Sequence, residues 1–161
     1  MARLSVTYSQ KYLDMWNEDY LAAKRYAEKF SDDPNTKVGC LVHSIDNSKL
    51  LYTNRLPNQL RHSDWLQSSD KKIWMVHAEQ AAITDFAKHG WFIQFSTMLV
   101  THHPCVECVK LIISAGISKL ISPSPKKDPL GIYNFEDAKK MIEESAVEYI
   151  ELEPLRPINL I

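Results

Sequence analysis

The sequence predicts an α/β fold, a three-layer α/β/α sandwich on a mixed five-stranded sheet, and three observations carry that expectation. Helical and β-prone segments alternate through the second half of the chain, which implies right-handed crossovers and parallel strands. Two short β-prone runs flank Asp46-Asn47-Ser48, which favours an antiparallel hairpin. The length of 161 residues suffices for one well-buried core and is too small for two ordinary domains, so a single domain spanning 1–161 is expected.

Taken in order, Trp16, Tyr20, Ala23, Ala27 and Phe30 recur at helical spacing, which predicts a helix from about Asp14, its capping residue, to Phe30. Ser31-Asp32-Asp33-Pro34 has the chemistry of a loop. Val38 to His43 and Lys49 to Thr53 are the hairpin strands. From Arg55 to Lys72 no period emerges, and so long a connection suggests a functional or subunit-contacting loop. His77 to His89 reads as a helix stopped by Gly90, Thr97 to Thr101 as a strand, and Pro104 to Ala115 as a helix with Gly116 just past its end. Lys119 to Ser122 is a fourth strand, Asn134 caps a helix to about Ser145, and Val147 to Leu152 is the last strand. Pro154 and Pro157 keep the tail from continuing a central strand and place it on the surface or against another subunit.

At 45% hydrophobic and 24% charged residues the composition is that of an ordinary globular chain. Lys plus Arg (19) nearly balance Asp plus Glu (20), which leaves no surplus charge for gripping a long nucleic acid. No stretch approaches the ~20 apolar residues of a membrane span, and Met1 to Ser5 lack the apolar run of a signal peptide, so a cytoplasmic location is expected. Cys40, Cys105 and Cys108 cannot all pair, and the last two are too close for a structural staple; metal or thiol chemistry is the better reading. Cys40, in a β-prone run, reads as a core residue.

The chemistry concentrates in His77-Ala78-Glu79 and Pro104-Cys105-Val106-Glu107-Cys108. Residues two apart on a helix point roughly 200° from each other, so His77 and Glu79 can approach one metal only end-on, from a helix that begins at His77. Cys105 and Cys108 share a face, and Pro104 places them in the first turn of the next helix. A helix amino terminus stabilises the thiolates that metal binding requires. His77, Cys105 and Cys108 thus make three zinc ligands, leaving a fourth position open to water as catalytic sites do, with Glu79 as general acid/base.

Together and in this order the two motifs resemble the zinc-dependent cytidine deaminase superfamily, whose signature is H-x-E followed by P-C-x-x-C. The likeness extends to Asp33-Pro34-Asn35-Thr36-Lys37-Val38-Gly39, to Asn54, to His77 through Ile83 and to Pro104 through Gly116, all of which resemble deoxycytidylate deaminases. It covers most of the chain from Trp16 to Leu152. The resemblance implies a cytidine deaminase-like fold, zinc on His77, Cys105 and Cys108, and Glu79 as proton shuttle. It also implies a sugar contact at Asn54, a substrate loop at Ser31, and backbone around Ala78 and His103 framing the pyrimidine edge. A pyrimidine nucleotide or nucleoside is the implied substrate, and a homo-oligomer, dimer or hexamer, the implied assembly.

Two features depart from that pattern. Family members commonly carry a phosphate-holding arginine just before the loop serine, where this chain has Phe30, with Asp32 adding an opposing charge; Lys29, Lys37, Arg55 or Arg61 are the candidate substitutes. Glycines that flank the asparagine in nucleotide-regulated members are replaced by Tyr52 and Arg55, with Gln59 where a further glycine often sits. Beside deamination of deoxycytidine monophosphate therefore stand three alternatives: an unphosphorylated nucleoside or base, a tRNA or single-stranded DNA substrate, and a non-catalytic zinc-stabilised protein. Of His102 and His103, adjacent in a strand, at most one faces the site. Trp65, Trp74 and Trp91 read as core or interface residues before base-stacking ones.

Overall fold

The first helix starts earlier than its apolar spacing predicts. In the computed structural model, which describes residues 8–57, 60 and 71–153 (71 and 72 by backbone only), α1 spans Gln10–Phe30 with Ser9 at its N-cap. Asp14 is therefore not the cap but an interior residue, its Oδ1 accepting from Gln10 Nε2 at 2.8 Å. The extra turn has a tertiary cause: Tyr8 and Tyr12 both pack on Trp16, with ring centroids 4.8 and 5.8 Å away.

Strands β1 (Gly39–His43) and β2 (Lys49–Thr53) form the expected hairpin, with Asn47 left-handed in its turn. A one-turn helix α2 (Lys71–Trp74) begins at the end of the stretch that showed no period and runs past it. It is followed by α3 (Ala78–His89), β3 (Thr97–Val100), α4 (Val106–Ser114), β4 (Lys119–Ser122), α5 (Phe135–Glu144) and β5 (Glu148–Glu151). The sheet order is β2-β1-β3-β4-β5, with β1 antiparallel to β2 and β3, and β3, β4 and β5 mutually parallel. That is the mixed five-stranded sheet of a three-layer α/β/α sandwich. Arg61, Trp65 and the tail 154–161 lie outside the described residues.

Strand alternation divides the core into two layers. Trp16 and Ala23 of α1 meet Leu41, Leu99, Ile121 and Ile150 on one face, while Cys40, Val42, Met98, Val100 and Leu120 face α3, α4 and α5 on the other. Cys40 is fully buried there, the core role its setting predicts. Phe86 of α3 is 2% exposed, and burying a side chain of that size contributes roughly 1.5–3 kcal/mol.

Gly39 lets α1 lie against the strand that leads to the site. A Cβ there would stand 2.1 Å from the Ala23 carbonyl oxygen, a backbone atom that cannot rotate away. Gly39→Ala is expected to destabilise the protein by about 3 kcal/mol, the upper end of overpacking costs. A denaturation midpoint unchanged from wild type would refute this close approach.

Candidate active site

Two helix amino termini converge beside the sheet, each capped by a residue with metal-ligand chemistry. His77 is the N-cap of α3 in extended backbone conformation, and its N–H donates to Gln80 Oε1 at 3.0 Å, one arm of a capping box. Cys105 is the N-cap of α4, also extended, and Cys108 sits three residues on, inside the first turn. The helices thus begin later than the sequence predicts, α3 by one residue and α4 by two. Ala78 is the first helical residue of α3, and Pro104 precedes the cap of α4 instead of opening the helix. The difference matters because a cap's extended backbone lets its side chain turn toward the helix end, where Cys105 joins the first-turn side chain of Cys108.

His77 Nδ1 lies 3.5 Å from Cys105 Sγ and 3.4 Å from Cys108 Sγ, and all three ligand atoms fall within 4.8 Å of one another. Tetrahedral zinc with Zn–S near 2.3 Å and Zn–N near 2.0–2.1 Å separates such atoms by roughly 3.5–3.6 Å, so the donor set fits the ion in type and spacing. Neither His102 nor His103 belongs to this group.

The electrostatics of these three side chains follow from contact and burial. A hydrogen bond from Cys108 pushes the Cys105 thiol down to about 4, with further help from His77. Cys108, as the donor in that contact and deeply buried, is pushed up. Cys105 raises the pKa of His77 by hydrogen bonding, against the opposing effect of burial. Zinc binding must therefore displace at least the Cys108 proton. The sign is fixed: affinity is greatest at high pH and weakens as pH falls, by about tenfold per pH unit for each proton displaced. Chelator competition between pH 8 and 6 is expected to show this slope, and a flat profile would contradict a thiolate ligand set.

Glu79, the second residue of α3, is 4% exposed. Burial raises its pKa, against the lowering effects of its own backbone N–H and of His77, and the Cys108 thiol hydrogen-bonds to it. It stands beside the metal group without belonging to it.

The other expected site residues are distributed as follows. Ala78 is fully buried at the start of α3. Ser31 and Asn54 come together: Ser31 Oγ donates to Asn54 Oδ1 at 2.8 Å, Val38 N to the same oxygen at 2.9 Å, and Asn54 Nδ2 to Thr36 O at 2.7 Å. Asn54 thereby locks the loop after α1 to the end of β2. His102 and His103 lie beyond the end of β3, not within it. His102 faces cationic surroundings, its pKa lowered by burial and then by Lys126 and Lys24. His103 is buried and turned toward β4 and β5, where burial lowers its pKa against the Pro123 carbonyl. Trp91 stacks on His89 past the far end of α3, a helix length of about 18 Å from His77, so it cannot stack on a base at this site.

Two networks had no signature in the sequence. The Ser31–Asn54 contact spans 23 positions, and the His103 contacts with Ser122 and Tyr149 span 19 and 46. Serines and tyrosines at such separations carry no local pattern that would single them out.

The family model for the cytidine and deoxycytidylate deaminase zinc-binding region matches residues 15–123. A probable deoxycytidylate deaminase of Drosophila melanogaster is 31% identical over 147 residues, 83% of this chain and 70% of that protein. The human deoxycytidylate deaminase is 32% identical over 134 residues, 78% of this chain and 74% of its own. Among solved structures, the dCMP deaminase of cyanophage S-TIM5, in complex with dCMP and dUMP, superposes with a TM-score of 0.65 over 90% of this chain and 99% of that one. At 20% identity that likeness concerns the fold alone. Motif order, matched region and ligand spacing agree, and the chain belongs to the zinc-dependent cytidine and deoxycytidylate deaminase family.

Proposed function

We propose that the protein hydrolytically deaminates deoxycytidine monophosphate to deoxyuridine monophosphate and ammonia. The observation that carries the reading is Glu79, a carboxyl group sealed from solvent beside a His/Cys/Cys group of zinc spacing. The names of the Drosophila and human relatives support the pyrimidine nucleotide.

His77, Cys105 and Cys108 would hold the zinc, which when bound supplies a nucleophile at neutral pH by lowering the pKa of water from ~15.7 to about 7. The remaining work is proton transfer. Hydrolysis adds oxygen to C4 and breaks the C4–N4 bond; of the two water protons, one ends on ring N3 and the other leaves with ammonia. Burial holds Glu79 above the ordinary carboxylate range, so its acid form is accessible and one carboxyl can serve both transfers. In the same reading Asn54 and Ser31 contact the sugar, while the backbone of Ala78 and His103 borders the pyrimidine. Assembly as a homodimer or homohexamer also belongs to it, and sedimentation of the zinc-loaded protein measures that directly.

One observation favours a second reading, an unphosphorylated nucleoside or base. Phe30, in the place of the phosphate arginine, is half exposed at the end of α1, packed 4.7 Å from the Tyr26 ring and with Lys29 Nζ 5.1 Å from its centroid. Lys37 Nζ donates to Glu28 O at 3.1 Å. Incubating the zinc-loaded protein with cytosine, cytidine, deoxycytidine and their mono- and triphosphates separates the readings. Release of ammonia fastest from deoxycytidine monophosphate is the expected result. Preference for the nucleoside would establish the second reading, and no product from any of them would overturn both.

A further inference from the structure

Cys105 is delivered by the loop between β3 and α4, so whatever holds that loop helps set the ligand geometry. At its start, Thr101 N donates to Gly39 O and Gly39 N to Thr101 Oγ1, both at 2.9 Å, and Tyr20 OH donates to Thr101 O at 3.3 Å. Just past Cys105, Val106 N donates to Tyr133 O at 3.0 Å. Between these anchors His103 makes a side-chain tie to two other strands. Its Nδ1 lies 3.3 Å from Ser122 Oγ on β4 and 3.2 Å from Tyr149 OH on β5, and the two hydroxyls are 3.3 Å apart.

The surroundings make this tie directional. Ser122 is fully buried and His103 is 6% exposed. His103 Nε2 is buried and has no hydrogen-bond partner among the described residues, so the polar anchoring of the ring passes through Nδ1. Phe135 and Tyr149 meet the ring edge-on, with centroids 5.6 and 5.7 Å away. An apolar ring could fill this space, but packing contacts permit sliding, whereas three polar atoms converging on one point fix both distance and direction. Burying those groups costs desolvation free energy that an apolar cluster would not incur.

We propose that His103 is a positioning residue: its Nδ1, shared by Ser122 Oγ and Tyr149 OH, fixes the Thr101–Cys105 loop against β4 and β5 and so sets where the Cys105 sulfur stands relative to His77 and Cys108. The proposal rests on the zinc-ligand reading above. The Pro123 carbonyl lies 3.2 Å from Ser122 Oγ and 3.5 Å from Tyr149 OH, so one hydroxyl can donate to it while the other donates to Nδ1, and removing either leaves the other to hold the ring. Removing both releases the ring.

Zinc stoichiometry of the unaltered protein first tests the ligand reading on its own. With zinc bound, chelator competition then compares S122A, Y149F, the double variant, H103F and H103N, whose Oδ1 can stand where Nδ1 stands. The single hydroxyl variants and H103N are expected to stay near wild type. The double variant and H103F are expected to bind zinc about tenfold more weakly, the lower end of the effect of outer-shell partners. Their cobalt(II)-loaded forms should show shifted thiolate-to-metal absorption bands, a readout that general loosening of the metal-free fold would not produce. Wild-type zinc affinity and cobalt spectrum in the double variant would overturn the proposal even if H103F fails to fold. Loss of affinity in H103N equal to that in H103F would overturn it as well.

Discussion

Glu79→Gln is expected to retain zinc at wild-type stoichiometry while lowering kcat by about 10²–10⁴-fold, the range supplied by a positioned general acid/base. The two effects separate because Glu79 lies outside the group formed by His77, Cys105 and Cys108. Gln keeps the shape and hydrogen-bonding capacity of the buried side chain but cannot exchange a proton. Since burial already disfavours the charged carboxylate, the amide should fold at least as stably as the native residue. Steady-state ammonia release, together with metal analysis and a thermal midpoint, tests all three points. Turnover above a tenth of wild type would remove Glu79 from the proton path.

Cys108→Ser is expected to abolish zinc binding and turnover together. The serine hydroxyl does not ionise at neutral pH and is no substitute for a thiolate, while the two remaining ligands leave the ion weakly held. Cys108 is also fully buried inside the first turn of α4, so no neighbouring side chain can move into its place without opening the helix start. A ligand that binds only the folded state stabilises it by mass action, so the wild-type protein should melt lower after chelation and the variant should not respond to chelator or to added zinc. Stoichiometric zinc in the purified variant would show that the third ligand lies elsewhere.

Much of the fold was legible because its signals are local. Gly90 and Gly116 end their helices in left-handed conformation, where only glycine is free of Cβ strain, and Asn134 caps α5 by accepting from Asp137 N. Strands such as Lys49–Thr53 and Lys119–Ser122 carry their β-propensity within themselves. The misreadings arose where tertiary contact overrides local preference. Trp16 recruits Tyr8 and Tyr12 and draws α1 out past Asp14. The motif helices start one (α3) and two (α4) residues late because His77 and Cys105 serve as extended caps, a conformation that residue spacing does not reveal.

By itself the sequence determined the class of chemistry. A histidine, a carboxylate two residues later and two cysteines three apart carry their ligand and proton-transfer capacities in their side chains, and their short spacings survive any fold that makes both segments helical. What only the tertiary structure decided is the meeting of groups far apart in the chain. His77 Nδ1 stands 3.4 Å from a sulfur 31 positions away, and the Asn54 amide closes on Ser31. His103, which the motif alone would leave beside the metal, instead turns to Ser122 and Tyr149. Such contacts depend on how the sheet aligns its strands and which face each residue takes, and those are properties of the packed whole. Short-range patterns encode chemistry; the long-range register of the packed sheet sets the distances at which that chemistry operates.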